Sequence, residues 1–203
     1  MPCETEQTEK ATHYSLLELV GPAYIRFARE ATPVITTRET PYKFGVANII
    51  RYRGERPRFL EAFETLLSTD YAGEGETASI VACGPMVAEA MRAAWLLKEE
   101  HGIETRVVSV HTVKPLDVAA LVRAADETHL IVTAEEHQVG GFGNLVAGAV
   151  LSHRQDFAPP LLFDMVGVQD RFGVSGKPWE LMQSFGLCAE HIAERVLRLR
   201  GLL

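Results

Sequence analysis

Four short, almost unbroken apolar runs constrain this chain more than any other feature. They are Ala78–Cys83 (ASIVAC), Arg106–Val110 (RVVSV), Leu130–Ala134 (LIVTA) and Leu161–Val166 (LLFDMV). A strand with one wet face alternates apolar and polar residues. A run without alternation is covered on both faces. Helical stripes separate the runs. Val87, Ala90, Met91, Ala94 and Leu97 form one, and Val118, Leu121, Val122 and Ala125 a second, with Pro115 just ahead of it. Val146, Ala149, Val150 and His153 form a third, and Ala189, Ile192, Val196 and Leu199 the last. Each recurs at the helical period. Strand–helix alternation of this kind predicts a three-layer α/β/α domain around a mostly parallel sheet. A fifth strand candidate, Phe44–Tyr52 (FGVANIIRY), precedes the four and mixes polar with apolar residues.

The rest of the chain departs from that rhythm. Residues 4–19 read as a surface helix, acidic at its start and stopped by Gly21-Pro22. Ala23–Ala28 (AYIRFA) reads as a strand. Residues 30–43 hold two prolines and four threonines without an apolar period, which predicts a connector and a domain boundary. Residues 58–69 (RFLEAFETLLST) read as an extra amphipathic helix, with Phe59, Leu60, Phe63, Leu66 and Leu67 on one face. A loop over Tyr71–Glu76 follows it.

Composition narrows the function classes. The 203 residues carry a net charge of −7, with basic residues scattered apart from Arg51, Arg53, Arg56 and Arg58. An acidic chain without a basic stripe argues against nucleic acid as a partner. No apolar run approaches the roughly 20 residues of a membrane span. Cys3, Cys83 and Cys188 are odd in number and far apart, so the expectation is no disulfide framework and a cytoplasmic setting. Cys83 lies in an apolar run and reads as a core residue. The seven histidines and three cysteines show no zinc spacing, so no metal site is expected.

Four places could carry chemistry. Residues 135–144 (EEHQVGGFGN) set carboxylates and an imidazole, Glu135, Glu136 and His137, before a glycine turn that opens a helix. Such a turn can hold an anion on backbone N–H groups; the favoured reading is a tight turn with close helix–sheet packing. Residues 170–181 (DRFGVSGKPWEL) offer Asp170, Arg171 and Ser175, read chiefly as an internal Asp–Arg pair with a cap at Ser175 or nearby. His111 and Lys114 flank a strand end, where ligands meet such sheets; a lone histidine there is more often structural. Arg26 and Arg29 close the AYIRFA run, and an arginine fork suits a phosphate; by pattern alone a solvated arginine is favoured.

Taken together, GPAYIRFAREATPV (21–34), FGVANIIRYRGE (44–55), VACGPMVAEAMRAAWLLKEEHGIETRVVSVHTVKPLD (81–117), TAEEHQVGGFGN (133–144) and GVQDRFGVSGKPWELMQSFGL (167–187) resemble the transketolase family, in order and spacing over nearly the whole chain. The segment 58–69 looks like the split transketolases, whose halves are separate polypeptides. The resemblance implies that residues 1–35 are the tail of the pyrimidine-binding domain, 36–43 a linker and 44–203 the C-terminal domain. That domain has a five-stranded mixed sheet whose first strand is antiparallel and at an edge. It further implies that the complete enzyme uses thiamine diphosphate and magnesium to move a two-carbon ketol unit between sugar phosphates. The activating glutamate, aromatic pocket and magnesium site then fall upstream of Met1, leaving no catalytic, cofactor-binding or metal residue here. The family's substrate-phosphate arginine falls on Arg29, and His111, Glu136 and His137 are secondary ligand candidates. Implied partners are an N-terminal half carrying the missing domains and a second copy in a homodimer. The alternatives are a docking module like the beta subunit of 2-oxo-acid dehydrogenases, or the C-terminal domain of a deoxyxylulose-phosphate synthase.

Overall fold

The computed structural model describes residues 1–155 and 157–203. Strands Asn48–Tyr52 (β1), Phe63–Leu67 (β2), Ala78–Ala82 (β3), Thr105–Ser109 (β4), Leu130–Gln138 (β5) and Leu162–Val168 (β6) form one sheet in the order β2-β1-β4-β3-β5-β6. The four apolar runs of the sequence are its parallel part, β4-β3-β5-β6. A first helix, Thr5–Leu17 (α1), precedes the sheet, and helices Met86–His101 (α2), Val118–Thr128 (α3) and Phe142–His153 (α4) connect the parallel strands. After β6 come a short helix, Pro178–Ser184 (α5), and the last helix, Ala189–Leu199 (α6). Helices α2 and α6 pack on one face of the sheet, and α3 and α4 on the other. Ile80, Val107 and Val132 face the first pair; Val81, Val108 and Ile131 face the second. Alternating residues of one strand thus enter two cores, so the middle of each strand is apolar on both faces.

Three expectations need correction. Residues 58–69 are not a helix: a 3₁₀ turn, Phe59–Ala62, leads into strand β2. The apolar spacing fitted one face of a helix, but an antiparallel partner was available. Residues Asn48 to Tyr52 pair with Leu67 to Phe63, and each side chain finds a partner on its own face. Tyr52 meets Phe63, Ile49 meets Leu66 and Arg51 meets Glu64. A ladder with matched cross-strand pairs outweighs a local helical period. Consequently β1, antiparallel as expected, is not the edge. It lies between β2 and β4, and the sheet has six strands rather than five.

The third correction concerns Ala23–Ala28, which lies in no strand. Backbone N–H and C=O groups need partners, and here no neighbouring strand supplies them. Val20 and Tyr24 stand 99% and 88% exposed. Helix α1 lies where expected, with Glu4 accepting from the Glu6 and Gln7 amides. It is fastened to residues 36–44: Thr36 donates to Glu4, Lys10 donates to the carbonyls of Thr37 (3.0 Å), Arg38 (2.9 Å) and Thr40 (2.6 Å), and Tyr14 stacks on Phe44.

Candidate functional site

The connection from β3 leads to β4 on one side, and that from β5 leads to β6 on the other. The carboxyl ends of β3 and β5 therefore flank a topological switch point, where ligands of open α/β sheets bind. The structure brings Cys83, His111, Glu135, Glu136 and His137 to this edge.

Glu135 is buried, and its carboxylate accepts from the amides of Phe142 (2.7 Å) and Gly143 (3.0 Å). The anion position at the start of α4 is thus occupied by the chain's own carboxylate. The glycines serve this packing. A side chain at Gly141 would stand 2.7 Å from Glu135 Oε2, and one at Gly143 would stand 2.8 Å from both Met165 Sδ and Thr133 Oγ1. The structural reading of the turn therefore holds. Strand alternation turns the next residue outward, so Glu136 is exposed, and His137 is half-buried.

His111 is buried with its ring stacked on Tyr42, centroids 4.6 Å apart. Its Nδ1 lies 2.8 Å from Thr112 Oγ1, and Nε2 has no partner among the described residues. Burial pushes its pKa down to about 4, so the ring is neutral at physiological pH. Burial, then the Glu135 charge, pushes the Cys83 thiol up to about 12. That environment leaves it protonated and a poor nucleophile, as its place in the apolar run suggested.

Arg29 stands apart from this edge's packing, on the exposed segment, hydrogen-bonded to its neighbour Glu30 at 3.2 Å. In the loop after β6, Asp170 accepts from Gln138 rather than pairing with Arg171, which stacks on Phe185 and donates to the Ser184 carbonyl. Helix α5 has Lys177 as its N-cap, whose amide donates to Glu180, so the cap lies near Ser175 but not at it.

One polar cluster escaped the sequence reading. Across the antiparallel pair β1–β4, Arg51 sits opposite Arg106. Both guanidinium groups are buried, and Glu76 bridges them: Oε1 accepts from Arg51 Nε (2.5 Å) and Tyr71 Oη (2.6 Å), Oε2 from Arg106 Nη2 (3.2 Å) and the Glu74 amide (2.9 Å). Arg51, Arg106 and Arg123 all lie over the Tyr71 ring. Burial works against the Glu76 charge. Tyr71, the Glu74 amide and Arg106 outweigh it and hold the carboxyl at about 2. The cluster lies at the amino end of β3 and β4, away from the switch point, and pins the Tyr71–Glu76 loop. Arg51 among the apolar residues of β1 and Arg106 at the head of the β4 run were its signals in the sequence.

No group of three or more His, Cys, Asp or Glu side chains among the described residues could hold a metal ion. No helix among them is long and apolar enough to cross a membrane.

The family model for the transketolase C-terminal domain matches residues 68–192. The chain is 33% identical over 184 residues to a putative transketolase C-terminal section of Methanocaldococcus jannaschii, covering 90% of this chain and 49% of that protein. It is 31% identical over 199 residues to an apulose-4-phosphate transketolase subunit of Phocaeicola vulgatus, covering 97% and 54%. It is also 33% identical over 180 residues to a 1-deoxy-D-xylulose-5-phosphate synthase of Synechococcus sp., covering 87% and 24%. Among solved structures, a split-gene transketolase described as an inactive beta4 tetramer superposes with a TM-score of 0.76 at 32% identity, covering 99% of this chain and 57% of that one. The chain spans about half the length of the first two of these relatives.

Proposed function

Because this chain belongs to the transketolase family through its C-terminal domain, we propose that it is the C-terminal part of a split, thiamine-diphosphate-dependent transketolase that moves a two-carbon ketol unit between sugar phosphates. The observation that carries the reading is the match, over 97% of this chain, to a transketolase subunit. Residues 1–35 are the tail of a pyrimidine-binding domain, 36–43 a linker and 44–203 the assembly domain. The exposed run through Val20, Tyr24, Phe27 and Val34 supports this division, since apolar surface of that kind marks a face that another domain covers. The enzyme is cytoplasmic and homodimeric, and an N-terminal half completes it.

The residues present do not fit the cofactor. The glycine-turn helix start at the switch point has its amides taken by Glu135, and the described carboxylates include no metal-binding group. Thiamine diphosphate and magnesium belong to the complete enzyme, and no step of the chemistry is assigned to this chain. Its contribution to the substrate is Arg29, whose exposed guanidinium holds a sugar phosphate. The chain alone is inactive.

Calorimetry with thiamine diphosphate and magnesium, and a coupled ketol-transfer assay with and without the N-terminal half, test the reading. Turnover is expected only in the complex. There, Arg29→Ala raises KM for phosphorylated acceptors about thirtyfold, the loss of one charge-assisted contact of roughly 2 kcal/mol. Turnover by this chain alone, or equal losses with phosphorylated and unphosphorylated acceptors, contradicts it. Formation of 1-deoxy-D-xylulose 5-phosphate in place of ketol transfer would instead support the synthase reading that the 1-deoxy-D-xylulose-5-phosphate synthase relatives allow.

A further inference from the structure

Residues 58–67 precede the stretch that the family model matches, and they add the sixth strand to the sheet. That strand, β2, pairs with β1 on one side and, among the described residues, with nothing on the other. The ladder bonds fix which backbone groups face the open side. Arg53 donates to the Ala62 carbonyl at 2.7 Å, and Ser68 donates to the Ala47 carbonyl at 2.8 Å. Hydrogen-bonded pairs alternate along an antiparallel ladder. Glu64 and Leu66 therefore bond to β1, while Phe63, Thr65 and Leu67 turn their N–H and C=O groups outward.

Two of these outward groups are satisfied within the chain. The Phe63 amide donates to the Leu60 carbonyl, and the Leu67 carbonyl accepts from the Asp70 amide at 3.0 Å. The Thr65 amide and carbonyl, the Phe63 carbonyl and the Leu67 amide have no backbone partner among the described residues. What remains is self-complementary in donor and acceptor charge. An identical strand laid antiparallel about a two-fold axis at Thr65 sets Thr65 opposite Thr65 and Phe63 opposite Leu67. Each Thr65 amide then meets the other copy's Thr65 carbonyl, and each Leu67 amide meets a Phe63 carbonyl. The Phe63 amide and the Leu67 carbonyl, already used in turns, are the groups that this register would otherwise have bonded to each other.

The side chains agree with the backbone. On the α2 face, two Phe63–Leu67 pairs would flank a Thr65–Thr65 pair, and matched pairs of this kind stabilise antiparallel strands. A groove of about 230 Å³, lined in part by Ile35, Pro41, Leu60, Phe63, Thr65 and Met91, lies beside β2 on that face and leaves room for an added strand's side chains. The two edges of the sheet also differ. Strand β6 has Pro159 and Pro160 ahead of it, a register shift against β5 and Asp164 within it, devices that discourage edge pairing. Strand β2 has an unbroken register, no proline and a single charge, Glu64, which Arg53 neutralises.

We propose that the outer edge of β2 is a self-association surface, at which a second copy of this chain adds its own β2 and joins the two sheets into one. The proposal rests on the strand's own pairing groups and not on the ketol-transfer reading. Sedimentation velocity over a concentration series, with amide hydrogen exchange followed by NMR at low and high concentration, tests it. The chain is expected to associate, and the Thr65 and Leu67 amides to gain protection as it does. Thr65→Pro removes an outward donor that β1 does not use and, by symmetry, two hydrogen bonds per contact, so association should weaken about thirtyfold. Thr65→Lys sets like charges opposite each other and should weaken it about fivefold. Thr65→Cys should link to itself on oxidation, because hydrogen-bonded pairs hold their Cα atoms about 5.5 Å apart, within disulfide range. Thr69→Cys, off the axis, should not. A chain that stays monomeric overturns the proposal, as does an exchange rate at Thr65 and Leu67 that ignores concentration. Association that survives both Thr65→Pro and Thr65→Lys also overturns it, by placing the contact elsewhere, and leaves the enzyme's homodimer standing.

Discussion

Replacing Glu76 with glutamine removes one charge and keeps the shape, which isolates what that charge does. Glu76 Oε1 and Oε2 accept four hydrogen bonds, from Arg51, Tyr71, Arg106 and the Glu74 amide. An amide nitrogen in place of either oxygen points a donor at donors, so at least one bond is lost. Two buried guanidinium groups also lose their shared counter-charge. Each keeps other partners: Arg106 has Glu127, and Arg51 has Glu74 and the Ala72 carbonyl. Breaking a buried pair costs about 3–5 kcal/mol, and the remaining partners favour the lower end, about 3 kcal/mol. Linkage arrives at a similar size. A carboxyl held at about 2 rather than its ordinary 4.5 carries on the order of 3 kcal/mol at neutral pH. For a chain of this size that is a fall in Tm of roughly 6–12 °C. Because the folded pKa is depressed, the stabilisation is fully present above the unfolded value and is lost as pH falls toward 2. Urea unfolding of wild type and Glu76→Gln should therefore differ by about 3 kcal/mol at about pH 7 and converge as acid takes the pH below about 4. A difference under about 1 kcal/mol at neutral pH, or one that does not shrink with acid, refutes the reasoning.

Two further outcomes follow from the switch-point edge. Gly143→Ala places a methyl 2.8 Å from Met165 Sδ and Thr133 Oγ1, and overpacking there should cost about 1–3 kcal/mol in denaturant unfolding; a neutral effect shows that α4 is free to shift. His111 is held at about 4 by burial, against an ordinary 6.5, so between those values the unfolded chain binds a proton that the folded one refuses. Stability should fall as the pH drops through that window, and His111→Asn should remove that slope; an NMR titration of His111 with a midpoint near its ordinary value contradicts the burial.

What was legible at the outset was whatever local chemistry enforces. Short continuous apolar runs bounded by turn residues and alternating with helical stripes fit strands covered on both faces, so the parallel core and its flanking helices were readable, and α1 lies within its expected span. The glycine turn after β5 was also readable as structural, because three glycines in four residues signal close approach before they signal a ligand. Arg29 and the ketol-transfer chemistry came from family resemblance, not from residue pattern.

The tertiary structure decided what depends on a partner distant in sequence. Residues 63–67 satisfy a helical period and a strand period alike, and only the open edge of β1 chose the strand. Ala23–Ala28 has strand composition, but a strand exists only where another supplies its hydrogen bonds, and here none does. The same logic governs polar burial. Arg51, Glu76 and Arg106 are ordinary surface residue types until the β1–β4 register and the Tyr71–Glu76 loop bring them within hydrogen-bonding distance, where mutual pairing makes burial tolerable. Periodicity records how a residue faces its own element. Pairing energy arises between elements, so strand identity and buried charge appear only once the chain is folded.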